Sequence, residues 1–174
     1  FELQVIGSGI EKLFVTGTSR LVRVIDFSSG ESMNSMGEKY SADGLVITEP
    51  SAIRISNNKE IYIVDPPSSK VVVVDQDFKK LREWGSFGIA DGQFRTPIDL
   101  SLSPAGDRVY IVDHYNYRIQ VFDNFGKYIT SWGGPGPESG KFVLPFGIAI
   151  HPTTGDVYVS DTGAHRIQQF TSNG

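Results

Sequence analysis

Gly155-Asp156-Val157-Tyr158-Val159-Ser160-Asp161-Thr162-Gly163-Ala164-His165-Arg166-Ile167-Gln168-Gln169-Phe170 decides the fold, because imperfect copies of it precede it along the chain. Val109-Tyr110-Ile111-Val112-Asp113 with Arg118-Ile119-Gln120-Val121-Phe122 is one copy, and Ile61-Tyr62-Ile63-Val64-Asp65 with Lys70-Val71-Val72-Val73-Val74 is another. The step is 48 residues, since 161 − 113 and 113 − 65 agree. One further step back lands on Gly17, between Leu13-Phe14-Val15-Thr16 and Arg20-Leu21-Val22-Arg23-Val24-Ile25, a copy that has lost its aspartate. Met36-Gly37, Trp84-Gly85 and Trp132-Gly133 keep the same step, as do Gly44, Gly92 and Gly140. Pro50, Pro97 and Pro145 are 47 and 48 residues apart, so the register slips by one near the prolines. Self-similarity at such a period marks a repeat architecture.

Each repeat reads as four short strands, a to d, bounded by turn residues. In the third copy these are 98–102 after a proline, 108–112 after Pro104-Ala105-Gly106-Asp107, 117–123, and 127–132 after Asn124-Phe125-Gly126. β-branched and aromatic runs punctuated by Gly, Pro, Asn and Asp are strand and turn chemistry. The same register predicts strands at 2–6, 12–16, 20–26 and 32–36 in the first copy and at 51–55, 60–64, 69–75 and 80–84 in the second. In the fourth it predicts 146–150, 156–160 and 165–170, with no fourth strand. Strand b is apolar at consecutive positions, which implies cover on both faces. No window shows apolar spacing at 3.6, which excludes helical solenoids. Four-stranded antiparallel sheets repeated radially are the blades of a β-propeller. The expected organisation is an all-β segment over 1–174, with blades at 1–43, 44–91 and 92–139 and an incomplete blade at 140–174.

Composition narrows the functional classes. A net charge of −4 offers no global basic field and makes nucleic acid an unlikely partner. The absence of cysteine removes disulfides, thiolate metal sites and a cysteine nucleophile. No apolar run approaches the roughly 20 residues that span a bilayer, and the N-terminus shows no leader pattern. The chain reads as soluble, with an extracellular or periplasmic setting favoured.

At Pro145, Gly147 to Ile150, Val157 to Asp161 and His165 to Phe170 the chain resembles the NHL repeat family. The third copy fits nearly as well. The second has Lys70 in place of arginine, and the first lacks both the aspartate and the tryptophan. The resemblance implies a propeller that closes with six blades, so that further blades or neighbouring subunits must cover the open blade faces. Within the family, peptidylglycine amidating lyases carry zinc-binding histidines directly after the strand a proline. Here Ser51, Ile98 and Phe146 stand there, which does not support that activity.

The candidate residues follow from the repeat. Asp65, Asp113 and Asp161 end strand b, and Lys70, Arg118 and Arg166 stand five residues later, which predicts structural turn pairs. Roles that recur in every blade are architectural, whereas an active site is unique. His114, Tyr115, Tyr117, Arg118, His165 and Arg166 lie in b-to-c loops, expected on the same face as the d-to-a loops, and form the candidate binding face. His114, His151 and His165 fall in two kinds of loop and are not expected to converge on a metal. No catalytic, metal or cofactor constellation is read from the sequence. The expected function is a non-catalytic binding or scaffolding module for protein partners. The alternatives are a propeller enzyme whose site lies in other blades and a subunit of a polymeric assembly. Trp84 and Trp132 are expected to pack between sheets.

Overall fold

The computed structural model describes residues 47–174 and, before them, the strands β1 (Glu2–Val5), β2 (Lys12–Thr16), β3 (Val22–Asp26) and β4 (Ser32–Met36). The turn at Gly17 and the glycine at Gly44 lie outside the described residues. The second sheet comprises β5 (Ala52–Ile55), β6 (Ile61–Asp65), β7 (Lys70–Val74) and β8 (Lys80–Trp84). The third comprises β9 (Pro97–Leu102), β10 (Arg108–Asp113), β11 (Arg118–Asp123) and β12 (Tyr128–Gly133). The last sheet has three strands, β13 (Pro145–Ile150), β14 (Val157–Asp161) and β15 (Arg166–Phe170). Every pairing between these strands is antiparallel, and within each sheet the strands lie in sequence order.

The innermost strands β5, β9 and β13 stand side by side, so successive sheets share an inner wall. Strand β6 is buried along its whole length and β10 from Val109 to Asp113, as consecutive apolar residues require. Between the second and third sheets Tyr62, Val64, Val71 and Val73 pack against Leu100, Val109, Ile111 and Phe122. Between the third and fourth, Tyr110, Val112, Ile119 and Val121 pack against Phe142, Ile148, Val157 and Val159. On the other face of the fourth sheet the repeat-equivalents are Tyr158, Ser160, Ile167 and Gln169, and there Ile167 is 74 % exposed where Ile119 is 0 %.

Several boundaries fall a residue or two from expectation, and those of strand c in the third and fourth sheets share one cause. Tyr117 (φ +56°) and His165 (φ +52°) adopt left-handed backbone after the 3-10 turns His114–Asn116 and Thr162–Ala164, so strand c begins one residue later in both copies. The fourth strand of the third sheet likewise starts at Tyr128, because Lys127 closes the turn on Asp123.

The slip near the prolines is corrected in the a-to-b turn. That turn closes from Ser56 N–H to the Glu60 carbonyl in the second sheet, but from Ser103 N–H to the Arg108 carbonyl, one residue longer, in the third. Arg54, Ser101 and Ala149 are consequently equivalent, each opposite a tyrosine of the second strand: Tyr62, Tyr110 or Tyr158.

Candidate binding face

The aspartate that ends the second strand of the second, third and fourth sheets organises the loops above it. Asp113 is fully buried. Its Oδ1 accepts the Arg95 N–H at 2.7 Å, and its Oδ2 accepts from Arg118 Nε at 2.8 Å, Asn116 Nδ2 at 2.8 Å and Gln120 Nε2 at 3.0 Å. Arg118 extends further, donating through Nη2 to the carbonyls of Ala90 and Gln93 at 2.8 and 3.0 Å. Buried Gln120 donates to Gln93 O and accepts from Gly92 N–H. A buried carboxylate surrounded by donors in this way is compensated for its lost hydration. The effect is to clamp the d-to-a loop, residues 85–96, onto the sheet.

The fourth sheet repeats the device. Asp161 Oδ1 accepts from Val143 and Leu144 N–H at 2.9 and 2.8 Å, and Oδ2 accepts from Arg166 Nε at 3.1 Å. Arg166 also donates to the carbonyls of Pro137, Glu138 and Lys141, and Gln168 links Lys141 O to Gly140 N–H. The glutamines at 120 and 168 belong to this clamp but were not singled out by sequence; their recurrence four residues before the next turn residue was the available signal.

The pair expected between Asp65 and Lys70 is not made. Asp65 accepts from Thr48 and Glu49 N–H and from the Ser68 hydroxyl, while Lys70 Nζ lies 2.7 Å from Glu83 Oε1. The ammonium is a single point donor that cannot bond the aspartate and the loop carbonyls together as a guanidinium does, and Ser68 already serves the second carboxylate oxygen.

Of the candidate face residues, Arg118 and Arg166 are therefore turned into the clamps. His114 is a correction: it is 7 % exposed, with Nδ1 2.7 Å from the Pro145 carbonyl of the neighbouring sheet, and so serves as a donor between blades. Tyr117 is partly buried against the core between the third and fourth sheets. Tyr115 is 47 % exposed and His165 is exposed. The b-to-c and d-to-a loops meet on one face, where Asn116 Nδ2 donates to Gly88 O at 2.9 Å. That face also displays Phe87, Ile89, Val143 and Phe146, the last 56 % exposed with its ring 5.9 Å from that of His114. None of the four had been singled out as a contact residue.

The inner wall holds a polar cluster that sequence reasoning had not expected in these blades. Arg54 Nη2 lies 3.1 Å from Asp99 Oδ1, and Asp99 also accepts from Leu100 and Ile148 N–H, joining three sheets through one carboxylate. Burial pushes the Asp99 carboxyl up, opposed by the Arg54 guanidinium and those two N–H groups. Below the pair, on the a-to-b turn side, a cavity of about 340 Å³ is lined by Arg54, Ser56, Asn57, Ser101 and Ser103 among others. Among the described residues no cluster of histidine and carboxylate side chains is arranged to hold a metal ion, and no helix is long and apolar enough to cross a membrane.

Antiparallel sheets in sequence order, stacked face to face about a shared inner wall, define a β-propeller. Residues 94–122 and 142–170 both match the NHL repeat, so two repeats of this β-propeller are of NHL type. No curated protein sequence matches it. Solved structures share the fold: virginiamycin B lyase from Staphylococcus aureus superposes with a TM-score of 0.67 at 14 % identity, over 97 % of this chain and 54 % of the lyase. The WD40 β-propeller domain of Doa1 gives 0.70 at 9 % identity, over 99 % and 50 %. A structural genomics protein of unknown function from Bacteroides thetaiotaomicron gives 0.71 at 16 %, over 96 % and 46 %. This chain thus spans about half the length of the structures it resembles.

Proposed function

We propose that the chain is a non-catalytic binding or scaffolding module that takes protein partners on the face formed by its b-to-c and d-to-a loops. The observation that carries this reading is the division of labour on that face. Asp113, Gln120, Arg118 and their counterparts hold the loops from beneath, while Tyr115, Phe146, Phe87, Ile89 and His165 remain available above. Aromatic side chains on loops already ordered lose little freedom on binding, which is the property of a recognition surface. Further blades of the same ring, in preference to neighbouring subunits, cover the outer face of the fourth sheet in this account.

The test is capture of partners from the native source by wild-type protein, a Tyr115→Ala/His165→Ala variant, and Asn58→Lys on the opposite turns. Loss of a wild-type partner from the loop variant with retention by Asn58→Lys supports the reading. Loss from Asn58→Lys alone moves the binding surface to the other face.

A further inference from the structure

Resting on the binding role proposed above, we infer that the mouth of the inner wall between the third and fourth sheets is a recognition pocket for an extended peptide carrying an acidic residue next to an apolar one. Two exposed rings form its walls. Tyr115 stands edge-on to His114 with centroids 4.5 Å apart, and Phe146 stands edge-on to the same imidazole at 5.9 Å. His114 is buried against both and held by its bond to the Pro145 carbonyl, which gives the two rings a common support.

The charge beside those walls is Arg95. Its backbone is fixed at both ends of the residue, the N–H on Asp113 and the carbonyl accepting the Tyr115 N–H at 3.0 Å. Its side chain is exposed and has no hydrogen bond or ion pair among the described residues. Every other arginine within residues 47–174 is engaged: Arg54 with Asp99, Arg82 with Glu60, Arg108 with Asn173, Arg118 with Asp113 and Arg166 with Asp161. An exposed, unneutralised cation whose backbone is bonded to Tyr115, one of the aromatic walls, is complementary to an acidic side chain with an apolar neighbour, and complementarity of this kind sets specificity.

The pocket is also where the repeats stop being equivalent. The residues standing 48 positions after Arg95, Ile98 and Tyr115 are Val143, Phe146 and Gly163. Architectural residues recur at this step, as Asp113 and Asp161 do, whereas these three change size or charge together. Gly163 lies against Val143 and Leu144, where an added Cβ would come within 2.8 and 2.9 Å of their side chains, so no ring stands there as Tyr115 does one repeat earlier.

Panning a phage-displayed random dodecapeptide library on the immobilised full chain tests this. Enriched peptides are expected to carry Asp or Glu adjacent to Leu, Phe or Tyr. Arg95→Glu should weaken them roughly tenfold or more, with partial rescue by peptides bearing Lys at the acidic position. Phe146→Ala should weaken them while leaving the thermal midpoint unchanged. Recovery of no peptide, enrichment without an acidic bias, or affinity indifferent to Arg95→Glu overturns the inference, as does binding confined to phosphatidylserine vesicles. If native partners depend on His165 but not on Arg95 or Phe146, the loop-face reading stands and this pocket falls.

Discussion

Gly126 lies against the indole of Trp84: a Cβ placed on it would sit 2.7 Å from the ring atoms Cδ2 and Cε3. The same relationship joins Gly174 to Trp132 one repeat later. Each tryptophan at the end of an outer strand thus seats the c-to-d turn of the following sheet, and its ring also meets Tyr62 and Phe122, or Tyr110 and Phe170. Gly126 has φ +90°, so alanine there meets both a backbone penalty and a steric one. Gly126→Ala should cost about 2 kcal/mol or more, and Trp84→Ala about 3 to 5 kcal/mol, measured by urea unfolding. A neutral Gly126→Ala would contradict the seating.

Asp113 should be worth more to the loop than to the sheet. Replacing it by alanine leaves buried Gln120 and the Arg118 guanidinium short of an acceptor, a loss on the order of 3 kcal/mol. The discriminating readout is amide exchange: the Arg95 N–H, which donates to Asp113, should lose protection before the amides of Val109 to Val112. Equal loss throughout the third sheet would show that the carboxylate serves global stability alone.

The acid limb of stability should respond in opposite directions to two substitutions. The hydrogen bond from Arg82 is the main cause holding the Glu60 carboxyl below its ordinary range, with Arg82 Nη2 2.6 Å from Oε2. A depressed folded value means stability that is full above the unfolded pKa of about 4.3 and lost as pH falls through the folded one. Asp99 has the reverse sign. Burial raises its folded value, so the folded state holds its proton longer and stability falls as pH rises above the unfolded pKa of about 3.9. Thermal midpoints measured from about pH 3 to 6 should show a shallower acid limb in Glu60→Gln and a steeper one in Asp99→Asn. Identical slopes in both variants would refute the assignment.

The fold was legible because strands and turns are local and repeat every 48 residues, so that even the decayed first copy showed its four strands. What escaped was whatever crosses between sheets or depends on backbone sign. His114 looked like a loop histidine because the carbonyl that holds it belongs to Pro145 of the next sheet. The Arg54–Asp99 pair was hidden by the one-residue slip, which places Arg54 47 positions before its true counterpart Ser101. Left-handed Tyr117 and His165 carry no glycine to announce them. The candidate face was legible as a set of loops, but which of its side chains turn outward was not, since Arg118 and Arg166 look like surface cations until their carbonyl partners are seen.

Ile119→Asp and Ile167→Asp separate the buried and open faces of equivalent strands. Ile119 lies between sheets, and a carboxylate there should prevent stable folding of the 174-residue chain. Ile167→Asp in the same chain should leave the unfolding midpoint nearly unchanged, because its side chain meets solvent. Equal damage from both, by urea unfolding of the isolated chain, would mean that the outer face of the fourth sheet is already covered, for instance by a second copy.

The most direct test of the binding account is hydrogen–deuterium exchange on the protein with and without a captured partner. The account predicts new protection at residues 85–96, 114–118, 134–146 and 162–166, the loops that Asp113 and Asp161 clamp. Protection confined to the a-to-b turns at 56–59, 103–107 and 151–155 would contradict it.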